Sequence, residues 1–181
     1  ITFLAMIVIF TVGGFSVLAS LVFATVLIMT TFLLGAIAVR VMGETGIEPV
    51  SGTSFIVLLM LLGVFLNAQD LLQLDTQDAV LLGLVGTTVF GSAISMSGTV
   101  IGDYKNSLYI GNRPYHISKG NIMGVIPGAI IGAGVAIFLS KQLADGTIDL
   151  MAPQANAFAT FSVIFAEGQG DLYLLALGFL L

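Results

Sequence analysis

Basic side chains are few in this sequence, and most of them lie in one short stretch. Residues 101–120 contain three of the five basic residues and the only histidine: Lys105, Arg113, Lys119 and His116. Short segments rich in Lys and Arg resist translocation, so such a cluster orients a membrane protein with its basic side in the cytoplasm. The sequence therefore predicts that loop 102–119 is cytoplasmic. His116 is either a solvated loop residue or a contact for a proton or a metal ion.

Two carboxylates, Glu44 and Glu48, interrupt an apolar region just before Pro49. Proline lacks a backbone donor and disfavours helix at the preceding residue, so helix should restart at or after Pro49. Breaks between membrane helices bring backbone groups and polar side chains to a site between helices. We therefore expect Glu48 to take part in ion coupling or substrate binding, and Glu44 to pair with Arg40 at the interface. In the alternative, both glutamates sit in water on the cytoplasmic side.

The sequence lacks the residues that zinc sites, nucleotide hydrolysis and nucleic-acid binding require. One histidine and no cysteine cannot build a thiolate zinc site, and the sequence has no GKS/T phosphate loop. A net charge of −5 provides no basic field for nucleic acid. We expect no enzymatic activity, no metal site, no cofactor and no nucleic-acid partner.

The composition indicates a membrane protein. The chain is 57% hydrophobic and 8% charged, with a mean hydropathy of +1.11. About 20 residues of helix cross a hydrocarbon core of roughly 30 Å, and several uncharged runs approach that length. The alternative, a soluble protein with a very apolar core, would have too few polar residues to cover its surface. The predicted fold is all-α, a polytopic helical membrane protein with about four to six transmembrane or re-entrant helices.

The predicted spans alternate with short polar segments. The uncharged runs that predict them are 15–39, 53–69, 79–101 and 120–140, preceded by the end of a helix in 1–12. Counting crossings from loop 102–119 places Arg40 inside and the acidic loop 70–78 outside. The sequence begins at Ile1 and ends inside an apolar run, so we expect residues 1–181 to be one transmembrane segment, incomplete at both ends, of a longer protein. The remaining helices of that protein would then be its partners.

Small residues recur at every fourth position in the two spans that flank the basic cluster. The first stripe is Ala79, Gly83, Thr87, Gly91, Ser95 and Thr99, and the second is Gly120, Gly124, Gly128, Gly132, Ala136 and Ser140. Small residues with this spacing share one helix face and allow two backbones to approach closely. We predict helix packing at both stripes. The alternative is that one stripe lines a moving gate or a substrate path, which a kink at Pro127 would favour.

Residues 150–166 form a weaker span, because Pro153, Gln154 and Asn156 make its start polar. A helix or re-entrant segment that starts near Pro153 would place free N–H groups and a positive dipole end near membrane depth. The alternative, given equal weight, is that these polar residues only cap a helix at the membrane interface.

Three segments in this order resemble motifs of the oligopeptide transporter (OPT) superfamily, in particular its prokaryotic and yellow-stripe-like branch. ETGIEPVSGTSFIVLL (44–59) is similar to its Asn-Pro-x-Ser-Gly segment, and APQANAFA (152–159) is similar to its Ala-Pro-Gln-Ala segment. GDYKNSLYIGNRP resembles its Asp-x-Lys-x-Gly-Tyr-x-x-Gly-x-x-Pro loop through Asp103, Lys105, Gly111 and Pro114. The chain departs from these motifs at three places: Glu48 replaces Asn, Ser107-Leu108 replaces Gly-Tyr, and Arg113 precedes Pro114.

The resemblance implies secondary active transport in the plasma membrane, usually proton-coupled, of small oligopeptides or of metal complexes with small chelators. It implies a set of substrate-binding or ion-binding candidates: Glu48, Pro49, Ser51, Asp103, Lys105, Gln154 and Asn156. The expected partners are the lipid bilayer and the substrate, with the proton as coupling ion, and a homo-oligomer is left open. The alternative function is a channel or a non-transporting subunit of a membrane complex.

Overall fold

The computed structural model of the protein describes residues 2–146 and 153–167, and every element in these residues is an α-helix. The helices are α1 Thr2–Val12, α2 Val17–Thr45, α3 Val50–Asn67, α4 Gln69–Leu72, α5 Thr76–Tyr109, α6 Pro114–Ala144 and α7 Pro153–Ala166. Within the described part of the chain, α2, α3, α5 and α6 are long and apolar enough to cross a membrane. The predicted all-α polytopic membrane fold is confirmed.

The described residues fall into two compact units, and the boundary lies within α5, after Ser97. The first unit comprises residues 2–97 and 154–167, and the second comprises residues 98–146 with Pro153. That the chain is a single transmembrane domain stays a prediction.

The helix before the predicted break extends further than the uncharged run indicates. Ser16 caps the start of α2, where its Oγ accepts a hydrogen bond from the Ala19 N–H at 3.1 Å. The helix then continues past Arg40 and ends at Gly46, whose φ of 73° is favourable for glycine. Arg40 Nε donates to Glu44 Oε1 at 3.1 Å, so the predicted ion pair is confirmed. This ion pair forms on the exposed surface of the helix, so α2 continues past both charged residues.

The core of the first unit is formed by α2, α3 and the N-terminal part of α5. Phe23, Leu61, Phe65 and Phe90 are fully buried there, and the rings of Phe23 and Phe65 stack with centroids 6.1 Å apart. These side chains meet across three helices, so the interface depends on how closely the backbones approach.

The first stripe of small residues lies at this interface. Ala79, Gly83 and Thr87 are buried. A Cβ on Gly83 would lie 2.9 Å from Leu62 Cδ2, which is closer than side chains normally pack. The predicted packing is confirmed for this half of the stripe.

The second stripe has a different environment. Gly120, Gly124, Gly128 and Gly132 are exposed on α6, and a Cβ added to any of them would meet nothing within 4 Å among the described residues. For this stripe, helix packing stays a prediction.

The stretch expected to be loop 102–119 is mostly helical, and that prediction is wrong in its local structure. Helix α5 continues to Tyr109 and α6 begins at Pro114, so only residues 110–113 form a turn. Gly111 adopts a φ of 73° there, and the Asn112 N–H donates to the Ser107 carbonyl at 2.9 Å. Proline at the first position of a helix has a suitable φ and no donor to leave unpaired. His116 therefore lies exposed in the first turn of α6, not in a loop.

Three other predicted boundaries can be compared with the structure. Helix resumes at Val50, directly after Pro49, and a helix starts at Pro153, as predicted. The acidic loop 70–78 is shorter than expected, because the last residues of α4 and the first residues of α5 lie within it. The predicted start at residues 150–152 lies outside the described residues.

The membrane orientation can be tested by labelling single cysteines at Asn112 and Gln73, both of which are exposed in turns. Segment 102–119 has three Lys or Arg residues and segment 70–78 has none, and such a difference orients short segments. We expect an impermeant maleimide added outside cells to label the Gln73→Cys variant and not the Asn112→Cys variant. Labelling at 112 alone would invert the orientation.

Candidate functional site

Helices α3 and α7 begin next to each other, although their first residues are far apart in the sequence. Gln154, in the first turn of α7, donates from Nε2 to Oγ of Ser51, in the first turn of α3, at 2.7 Å. The structure thus joins two of the sequence-predicted site residues.

The adjoining helix starts present backbone N–H donors. Pro49 is the N-cap residue of α3 and provides no side-chain hydrogen bond to the helix. The first N–H groups of a helix have no partner within it, and the helix dipole places about half a positive charge at this end. Because α3 and α7 both begin here, the site is suited to an anionic group such as a carboxylate.

Glu48 provides the opposite charge beside this site. Its Oε2 accepts a hydrogen bond from Ser95 Oγ of α5 at 3.3 Å, and the residue is half-buried. Glu44 instead remains on the surface, with 68% of its side chain exposed. The two glutamates therefore occupy different environments, and Glu48 is the one held between helices.

A cavity of about 210 Å³, open on one side, lies one helical turn further along the first unit. It is bounded by Ser54 of α3, by Phe158 of α7 and by α5 residues between Leu84 and Ser92. Ser54 follows Ser51 by three residues and Phe158 follows Gln154 by four. On a helix these separations keep two side chains on the same face. The cavity is therefore the inward continuation of the Ser51–Gln154 site.

On α5, too, a site residue and a cavity residue share one face of the helix. Gly91, which borders the cavity, precedes Ser95 by four residues. A Cβ at position 91 would lie 3.0 Å from Ser54 Oγ. The stripe that contains Ser95, Gly91 and Thr87 thus follows one face of α5 from Glu48 to the cavity.

The hydroxyl of Ser54 has no hydrogen-bond partner among the described residues, although the residue is only 5% exposed. Serines in helices often bond to the carbonyl four residues earlier, which here belongs to Val50. Ser54 Oγ does not make this bond, whereas the neighbouring Thr53 Oγ1 donates to the Pro49 carbonyl at 2.6 Å. An unsatisfied buried polar group costs about 1–3 kcal/mol, so an added hydrogen-bond partner in the cavity would be favourable.

The other hydroxyls around the cavity have partners on their own helix. They donate to carbonyls four residues earlier: Thr87 to Gly83 at 2.7 Å, Thr88 to Leu84 at 2.9 Å and Ser92 to Thr88 at 2.9 Å. Ser54 is therefore the bordering hydroxyl whose proton is free in this part of the structure.

An aromatic cluster holds α7 against α3. The ring of Phe55 stacks on Phe158 at a centroid distance of 5.7 Å and meets Phe161 edge-on at 4.6 Å. Aromatic pairs in these geometries stabilise an interface beyond the area that they bury. Phe158 is thereby fixed as one wall of the cavity.

The remaining predicted site residues lie at different places. Asn156 is exposed in the first turn of α7. Asp103, half-buried, and Lys105, exposed, belong to the second compact unit, near a hydrogen bond between the hydroxyls of Tyr104 and Ser118. Sequence reasoning missed Ser54. Its spacing of three residues from Ser51 was the available signal.

Helix starts that carry polar residues occur at the binding sites of transport proteins. The described part of the chain has four helices long and apolar enough to cross a membrane, so its fold is that of an integral membrane protein. The family profile of the OPT oligopeptide transporter proteins matches residues 1–181, and the chain belongs to this family. No curated protein and no solved structure matches the chain.

Proposed function

We propose that the protein is a secondary active transporter that couples proton entry to uptake of small oligopeptides or metal chelates across the plasma membrane. Its family is a transporter family. We propose no enzymatic activity, and we place segment 102–119 in the cytoplasm. The observation that supports the proposal best is the hydrogen bond between Gln154 and Ser51, because it holds two helix starts around one point.

The charges of the site fit the ends of a peptide. The adjoining starts of α3 and α7 provide positive dipole ends and N–H donors for a carboxylate, the arrangement by which broken helices in transporters bind anionic groups. The carboxylates of a small metal chelator are suited to the same donors. Glu48 lies within the same unit and provides a group that can carry one proton. Substrate and proton would thus bind to neighbouring groups at the start of α3 and in the segment just before it.

Accumulation separates this proposal from a channel or a non-transporting subunit, because a channel only equilibrates its solute. The protein in proteoliposomes should be given labelled di- to hexapeptides and iron chelates, with and without an acidic exterior. We expect the internal concentration of at least one substrate to exceed the external one only when the pH gradient is imposed. Equilibration without accumulation would favour the channel, and no flux of any substrate would contradict transport.

Gln154→Ala should weaken substrate binding, because it removes the hydrogen bond that joins the two helix starts. A hydrogen bond contributes about 0.5–1.5 kcal/mol, so the half-saturation concentration for uptake should rise about two- to tenfold. Gln77→Ala is the matched control, since Gln77 is also the second residue of a helix and is exposed. Equal half-saturation concentrations in the two variants would remove Gln154 from the site.

A further inference from the structure

The Ser54 cavity has a size and a lining that restrict what it can hold. Its volume is about 210 Å³, and a dry cavity of roughly 150 Å³ in another protein binds benzene. The space thus accommodates one substituted six-membered ring and is smaller than the pockets of roughly 300–1,000 Å³ that bind whole drug-sized ligands. It is therefore a compartment for part of a substrate.

The residues that line the cavity present mostly apolar surface and one hydroxyl that has no hydrogen-bond partner among the described residues. Leu84 and the ring of Phe158 provide apolar contacts. The hydroxyls of Thr87, Thr88 and Ser92 are directed to carbonyls of α5. Among the atoms that line the cavity, Ser54 Oγ is buried and has no hydrogen-bond partner in the described residues, and it lies close to Gly91 on the opposite helix.

We propose that this cavity binds an aromatic side chain of the transported substrate, and that Ser54 hydrogen-bonds a hydroxyl on its ring. A phenol, as in a tyrosyl side chain, satisfies both features. Its ring packs against Phe158, and its hydroxyl reaches the otherwise unpaired Ser54. The proposal rests on the proposed transport function, since it assigns one side-chain pocket to the same substrate site.

The register of the helices supports this assignment. Ser51 and Gln154 mark the helix starts at which a peptide carboxylate would bind, and Ser54 and Phe158 lie one turn further along the same two helices. A side chain attached next to that carboxylate can extend into the cavity. The pocket therefore selects for the C-terminal residue of a short peptide.

Gly91 provides the space for this group. A Cβ at that position would stand 3.0 Å from Ser54 Oγ, so Gly91→Ala should narrow the cavity and restrict the rotation of the hydroxyl. Gly63 is a matched control on α3, because a Cβ there would meet nothing within 4 Å and the residue is exposed. Ser54→Ala removes only the hydroxyl.

A binding experiment tests the cavity independently of transport. Saturation-transfer NMR titrations of p-cresol and toluene should be recorded on the purified protein in a detergent without aromatic groups. We expect the parent to bind p-cresol about two- to tenfold more tightly than toluene, from the worth of one hydrogen bond. Ser54→Ala should lose this preference, Gly91→Ala should bind both probes more weakly, and Gly63→Ala should match the parent. Unchanged binding in Ser54→Ala and Gly91→Ala, or no saturable binding in the parent, would overturn the proposal.

Uptake of matched dipeptides then links the cavity to transport. Ala-Tyr should have a lower half-saturation concentration than Ala-Phe and Ala-Ala, and Ser54→Ala should bring Ala-Tyr to the level of Ala-Phe. Equal uptake of all three dipeptides by the parent would refute the side-chain pocket while leaving peptide transport intact. Ser54-dependent binding of p-cresol without uptake of any peptide would retain the aromatic site and refute the proposed function.

Discussion

Replacing Glu48 with glutamine is expected to abolish the accumulation of substrate that an imposed pH gradient drives. Glu48 is half-buried and accepts a hydrogen bond from Ser95 Oγ at 3.3 Å. Glutamine has the same shape, and its carbonyl oxygen can accept that bond, but it cannot bind and release a proton. With one proton per substrate, one pH unit supports about tenfold accumulation, and this ratio should fall to about one in the variant.

Glu44→Gln is the control for the Glu48 variant. Glu44 lies four residues earlier, pairs with Arg40 and is 68% exposed, so its loss should leave accumulation unchanged. The measurement is the ratio of internal to external labelled substrate at steady state, over a series of external pH values. A collapse of this ratio in Glu44→Gln alone would mean that the other carboxylate carries the proton, and an unchanged ratio in both variants would exclude each of them.

The second large effect is expected from Gly86→Leu, which should destabilise the packing of α5 against α2 and α3. A Cβ at position 86 would lie 2.6 Å from Leu61 Cδ1 and 2.9 Å from Phe23 Cε2. Both neighbours are fully buried, so they have no free space into which to move. Overpacking typically costs about 1–3 kcal/mol, and a leucine at this position should reach the upper part of that range.

Thermal unfolding of the purified protein in detergent measures this effect. Gly63→Leu is the matched control, since Gly63 is exposed on α3 and a Cβ there would contact nothing within 4 Å. We expect a clear decrease in the unfolding temperature for the Gly86 variant and little change for the control. Equal unfolding temperatures would mean that α5 is further from its neighbours than the structure places it.

The presence of the membrane helices was predictable, as were the two helix starts beside prolines, at Val50 and Pro153, but the other ends were not. Apolar runs give the spans because the hydrocarbon core requires a minimum length. Charged residues do not fix the ends, because a helix can extend beyond that core into water. The 34 residues of α5 correspond to about 50 Å of helix, so the segment around Lys105 stays helical. The sequence did not predict how short the turn at 110–113 is. Gly111 and Pro114 determine only these few residues, within a longer basic segment.

The two stripes of small residues show why a pattern alone cannot identify a packed face. Both have the same four-residue period, but a Cβ on Gly83 would press against Leu62, whereas a Cβ on Gly128 would meet nothing within 4 Å among the described residues. The sequence shows that a face permits close approach. The presence of a partner helix depends on tertiary structure. Gly86, where a Cβ would lie only 2.6 Å from Leu61 Cδ1, lies outside both stripes.

The sequence named some residues of the candidate site, without their geometry. Ser51 and Gln154 stood in separate motifs, and their hydrogen bond joins residues 103 positions apart. Ser54 required still more information, because the burial of its unpaired hydroxyl depends on the packing of α5 and α7 around the cavity. That packing cannot be read from a sequence pattern.

Proton movement driven by substrate tests the central proposal most directly. Proteoliposomes that contain the protein and an internal pH indicator should be prepared at equal pH on both sides, and a transported substrate should then be added outside. We predict that inward flow of the substrate alone acidifies the interior, and that Glu48→Gln abolishes this acidification. Entry of the substrate into parent proteoliposomes at constant internal pH would contradict proton-coupled transport.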